Sequence, residues 1–201
     1  LLNLLAFLCS PVFKQQSMPI PYEIDIYHCD ANDTARFTLG KNGSRNLLVI
    51  GLNPSKANAQ KPDPTLRKVV GYASRQGFDG FVMMNLYAGR HTYPNDLPLA
   101  PCPSLQQQNL EAIMQMINHQ PETHILACWG DNILMRPYLL DCFREIVTDC
   151  DGKPVNWYQI GHLTKKGHPR HPARSAYDLG FCPFDADAYL QKNLIGSYWT
   201  N

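Results

Sequence analysis

The sequence predicts an α/β domain, a three-layer α/β/α sandwich around a parallel sheet of about four strands. Short apolar runs alternate with segments of helical periodicity, and the first three runs lack the polar alternation of a half-solvated strand. These runs occupy residues 46–52 (NLLVIGL), 80–87 (GFVMMNLY), 123–129 (THILACW) and 156–162 (NWYQIGH).

The intervening helices follow in order. Leu66, Val69, Val70 and Ala73 form the first apolar stripe, with Asp63 placed to cap the helix and Pro64 at its first position. Leu110, Ile113, Met114 and Ile117 form the second, preceded by Ser104 and Gln107 in capping-box spacing. Leu139, Cys142, Phe143 and Ile146 form the third, after Pro137. These stripes read as core. A hairpin-like addition around residues 35–39 extends the sheet, and residues 18–201 read as one α/β domain without repeat or linker. Residues 1–17 begin with an apolar run like that of a signal peptide, yet lack a basic stretch before it and a small-residue cleavage site after it. They read as a leader or extension of doubtful function, with Met18 as an alternative start.

Composition narrows the partners. Of 201 residues, 44% are apolar and 17% charged, and the formal net charge is +1, so global charge recruits no polyanion and any nucleic acid must meet a local basic patch. A chain of this length buries roughly 70% of its unfolded surface without help from disulfides or metal. Seven cysteines without a C-x-x-C pair point to buried thiols in a reducing cytoplasm. No apolar run approaches the roughly 20 residues of a membrane span.

In an open α/β sheet the ligand sits beyond the carboxyl ends of the strands. The loops expected there contain Gly51, Leu52, Asn53, Pro54 and Ser55, then Asn85 and Tyr87, then Trp129, and finally residues 161–172. Asn53 is either a turn-stabilising amide or a holder of water or ligand. Asn85 ends an apolar strand, where a carboxamide needs partners, whether core groups or a ligand. The stretch from Thr164 to Arg174 carries Lys165, Lys166, Arg170 and Arg174 without an acid; it is either a solvated loop or a phosphate grip. His162, His168 and His171 have no Cys or carboxylate at metal-ligand spacing, so neither a metal nor another cofactor is expected. The Walker, dinucleotide and nucleophile-elbow signatures are missing from the sequence. Asp63, Asp79 and Asp96 read as caps or turn residues.

Taken in order, Gly51 to Ala57, Asp63-Pro64-Thr65, Asn85 to Ala88, Trp129-Gly130 and the Thr164–His171–Pro172 segment resemble the mainly bacterial and phage family called domain of unknown function 1643. More distantly, Gly51-Leu52-Asn53-Pro54 is similar to the first motif of the mismatch-specific branch of the uracil-DNA glycosylases, with Ser55 where that branch has glycine. This second resemblance implies a glycosylase-like fold and hydrolysis of the N-glycosidic bond of a modified or deaminated base. Asn53 would position water, Asn85 would read the base edge, and His171 would stabilise the departing base, with His168-Pro169 or His171-Pro172 as the late His-Pro motif. Gly51, Leu52, Pro54 and Ser55 would shape the pocket, Tyr87 or Trp129 would stack on the base, and Lys165, Lys166, Arg170 and Arg174 would hold phosphates. Ala173-Arg174 follows the late motif in place of a small residue and an apolar wedge, which favours a single strand or a free nucleotide over duplex DNA. A non-catalytic nucleotide-binding module and a phage-related interaction protein are the alternatives.

Overall fold

A computed structural model describes residues 20–197. The expected leader and residue Cys9 lie outside them. Seven strands form one mixed sheet: β1 (Ile26–Cys29), β2 (Arg36–Lys41), β3 (Asn46–Gly51), β4 (Gly80–Asn85), β5 (Thr123–Ala127), β6 (Val155–Ile160) and β7 (Phe181–Pro183). Among the described residues four α-helices accompany them: α1 (Pro64–Arg75), α2 (Pro103–Asn118), α3 (Tyr138–Asp149) and α4 (Ala186–Ser197).

The sheet order is β1-β2-β4-β3-β5-β6-β7. Strands β4, β3, β5 and β6 pair in parallel, with Val49 opposite Met83 on one side and Leu126 on the other. The four apolar runs supply these strands. The expectation of about four strands is corrected to seven in a mixed sheet, because β1 and β2 add antiparallel at one edge and β7 at the other. The edge strands β1 and β7 are short and mostly half-buried, so they lack the continuous apolar run that marks a strand covered on both faces.

Alternation along the central strands divides the core. Leu48, Ile50, Val82 and Met84 pack with α2, α3 and α4, whereas Leu47, Val49, Phe81 and Met83 pack with α1. The helical stripes are buried as expected, although Val70 and Leu110 are only partly covered. Asp63 caps α1, its Oδ1 accepting from the Leu66 amide at 2.8 Å with Pro64 at the first position. Asp79 instead fastens a turn, accepting from Ser44 and Arg45. The Ser104–Gln107 capping box does not form: α2 starts at Pro103, which places Ser104 inside the helix, and Gln107 donates to Glu111. Cys128, Cys142 and Cys150 are buried free thiols; Cys29 and Cys182 are half-buried and Cys102 is exposed. Among the described residues, no helix is long and apolar enough to cross a membrane.

Candidate active site

The chain moves from β3 through α1 to β4 on one side, then through α2 to β5 on the other side of β3. Such a reversal opens a crevice at the carboxyl ends of the strands. A cavity of about 590 Å³ lies there, within the range of small-molecule sites. Gly51, Leu52, Asn53 and Ser55 line it from β3, Met83 and Asn85 from β4, Trp129, Gly130 and Asp131 from β5, and Arg170, His171 and Arg174 from the late loop.

Asn85 forms part of the inner wall. Its side chain is fully buried, and neither Oδ1 nor Nδ2 has a hydrogen-bond partner. Neighbouring Asn109 does not relieve it: the Asn109 Nδ2 donates to the backbone carbonyls of Asn85 and Leu86. Gly51 makes room for this amide. A Cβ at residue 51 would stand 2.5 Å from Met83 Cε and 2.9 Å from Asn85 Oδ1.

Asn53 stabilises its turn through one end of its amide. Its Nδ2 donates to the carbonyls of Pro54 at 3.0 Å and His91 at 2.8 Å. Two carbonyl acceptors fix which end of the amide is nitrogen, so Oδ1 is the end left to accept from a ligand or water. The loop beyond is tied down by Arg90, which donates to Ser55 O and Ala57 O and pairs with Asp33 at 2.8 Å.

His171 enters from the late loop, beside Gly130. Gly130 adopts φ +73°, and a Cβ there would stand 3.2 Å from His171 Cβ, so glycine permits the close approach of these loops. Burial, and then the Arg174 guanidinium, lower the His171 pKa from its ordinary value near 6.5, against the opposing pull of Asp63. The imidazole is therefore neutral at pH 7, and among the described residues neither ring nitrogen is hydrogen-bonded. A neutral imidazole carries one N–H to donate.

Several residues named from the sequence stand away from the cavity. Tyr87 is buried against Tyr138 and His91 and does not line the cavity. Trp129 contributes to the wall, but its indole is 0% exposed and packs on Phe143, Phe184 and Tyr189. Each strand end turns these rings into the core. Pro54 and His168 are buried, while Lys165 and Lys166 are exposed outside the cavity.

His168 belongs to a core relay. Trp129 Nε1 donates to Tyr189 Oη at 3.3 Å, and that hydroxyl meets His168 Nδ1 at 2.8 Å. Burial pushes the Tyr189 hydroxyl up to about 12, so it keeps its proton, and the direction of its bond to His168 Nδ1 follows the tautomer of the ring. The loop carrying His168 is closed by Thr164, which donates to Asp131 at 2.5 Å and accepts from the His168 amide.

The lowered histidine values have a consequence for stability. Burial depresses both His168 and His171, so below their ordinary value the unfolded chain binds more protons than the folded one. Stability is then full above about pH 6.5 and falls as pH drops through the folded values. The urea midpoint is expected to be lower at pH 5.5 than at pH 7.5, with a shallower dependence in His171→Asn; an equal slope in that variant would remove His171 from this account.

Sequence reasoning missed Arg36, His91 and Met83 in the wall and saw Asp63 only as a cap. Arg36 opens a short strand after a turn, and nothing local distinguishes it from a surface arginine. Among the described residues, no cluster of His, Cys, Asp or Glu is arranged to hold a metal ion.

The model of a family described as a protein of unknown function, DUF1643, matches residues 36–173. The chain belongs to this family. The DUF1643 segment begins at the first residue of β2 and ends in the late loop, so it includes every cavity residue named above except Arg174. No curated protein and no solved structure gave a significant match.

Proposed function

We propose that this DUF1643 protein hydrolyses the N-glycosidic bond of a modified or deaminated base, presented in a free nucleotide or a single strand. The observation that carries this reading is Asn85: a completely buried carboxamide with a free donor and a free acceptor in the wall of a nucleotide-sized cavity. An unsatisfied buried amide costs about 1–3 kcal/mol. A base edge that presents an acceptor beside a donor would satisfy both ends.

The other groups fit the same reaction. Asn53 Oδ1 accepts from a water and aims it at the anomeric carbon. The C–N bond breaks with its electron pair leaving on the base, the water oxygen bonds to the sugar, and its surplus proton passes to solvent. Neutral His171 donates to the departing base. An amide is no general base, so catalysis rests on positioning and electrostatic stabilisation, and turnover is slow. For a strand, Arg170 and Arg174 at the wall and exposed Lys165 and Lys166 beyond it hold the phosphates. The three-layer, glycosylase-like arrangement is part of this reading, supported by helices against both faces of the sheet and a site at the strand ends.

The test is base release from single-stranded oligonucleotides and nucleotides carrying uracil, hypoxanthine or xanthine, with wild type beside Asn85→Leu. The variant is expected to lose release by about 100-fold. Its stability should hold or rise, because an apolar side chain of similar size replaces two unsatisfied groups. Lower stability in the variant would mark Asn85 as a satisfied core amide. Retained nucleotide binding without release by wild type would instead identify a non-catalytic binding module.

A further inference from the structure

Two guanidiniums converge on one backbone carbonyl near the cavity. Arg90 and Arg36 both donate to Ala57 O, at 3.2 and 2.8 Å, but only Arg90 has a carboxylate partner, Asp33. Arg36 is 3% exposed, and its Nε is buried without a partner. Among the described residues, no carboxylate lies within ion-pair distance of it. Asp63 exerts the largest opposing pull, yet its Oδ1 is engaged in capping α1. Burial, and then repulsion from Arg90, lower the Arg36 pKa to about 10, which leaves the side chain charged at neutral pH.

Desolvating a guanidinium is costly unless an anion answers it. Arg36 also lines the cavity, and β2 explains how. The strand runs antiparallel to β4, with Leu39 opposite Met83, so its first residue lies at the carboxyl end of β4. The Arg36 amide accordingly donates to Ala88 O, just beyond Asn85. The remaining formal charges in the wall reinforce the attraction: Lys56, Arg170 and Arg174 stand against Asp63 and Asp131.

We propose that Arg36 seats a terminal phosphate monoester, so that the ligand of this cavity is a mononucleotide carrying its own phosphate rather than a base within a continuous strand. This rests on the nucleotide reading above and adds the substrate class. A phosphodiester inside a strand must let the chain leave in two directions and carries one charge. A terminal monoester ends at the seat and presents three oxygens and nearly two charges to the planar fork. The exposed lysines beyond the cavity suit an internal phosphate; the buried arginine suits an end.

The experiment is calorimetric binding to the whole chain, using the 5′-monophosphates of deoxyuridine, deoxyinosine and deoxyxanthosine, the three nucleosides, inorganic phosphate, and a single strand with the same base at an internal position. At least one monophosphate is expected to bind tenfold or more tighter than its nucleoside, the gain typical of a charged hydrogen bond. Inorganic phosphate should compete with it, and the strand should bind no better than the nucleoside. In Arg36→Gln, which retains a donor for Ala57 O, the tenfold preference should disappear. If that variant melts below the assay temperature, Arg36→Lys keeps the charge without the fork and should reduce the preference, while the wild-type comparison stands without any variant. Equal affinity for nucleoside and monophosphate, tighter binding of the strand, or no binding by phosphate and all three monophosphates would each overturn the proposal. Arg36-dependent monophosphate binding without base release would uphold this seat and reject the hydrolase reading; release without a phosphate preference would do the reverse.

Discussion

Asn53→Ala is expected to lower base release by roughly 10²–10³-fold, the loss typical when one preorganised polar group is removed from a reacting centre. The geometry separates two contributions. The Nδ2 end holds the loop through Pro54 O and His91 O, and the Oδ1 end is the one assigned to water. Alanine removes both. Asn53→Asp restores an acceptor for water but replaces two donations with a carboxylate facing two carbonyls, so the loop should loosen and release should remain low. Nucleotide affinity in Asn53→Ala should fall much less than release, since Asn85 and the wall arginines are untouched. Release that persists in Asn53→Ala would confine this residue to turn stabilisation and remove water positioning from its role.

Trp129→Ala should produce the largest loss of stability, about 3–5 kcal/mol. The indole is fully buried among Phe143, Phe184 and Tyr189, and its Nε1 donates to Tyr189 Oη. Deleting it leaves a large void and a hydroxyl short of one partner. Trp129→Phe keeps most of the volume and should cost less, with any loss of release following the loss of fold. Equilibrium urea unfolding measures both. A small change in stability with a large change in nucleotide affinity would place the indole back at the ligand.

The fold was legible where one physical signal dominated. Strands covered on both faces must be apolar over most of their length, and residues 47–51, 80–84 and 125–127 are. The cap at Asp63 was equally plain because its bond is local. By contrast, β1 and β7 have only four and three residues, and what makes them strands is the neighbour each pairs with. The second helix shows how close signals compete: Ser104 and Gln107 have the right spacing, but Pro103 starts the helix earlier.

The candidate site divides along the same line. Asn53, Asn85 and His171 drew attention as polar residues beside apolar strand ends, and the folded chain brings all three to one cavity. Whether Tyr87 and Trp129 face that cavity or the core depends on α3 and α4, far along the chain, and no local pattern decides it. Arg36 was hidden for the opposite reason. Its importance lies in what does not meet it, and the lack of a partner for a charge is visible only after folding.

The contacts from Trp129 through Tyr189 to His168 cross the end of the matched family segment. The matched family segment stops at residue 173, whereas Phe184, Tyr189 and Leu190 beyond it close the core over β5 and α3. A chain truncated to residues 36–173 would present Trp129 and Phe143 to water and leave His168 without its hydroxyl partner. The segment alone therefore does not close this face, and changes among residues 184–190 would alter the support beneath the loop that carries His171 while leaving the segment itself unchanged.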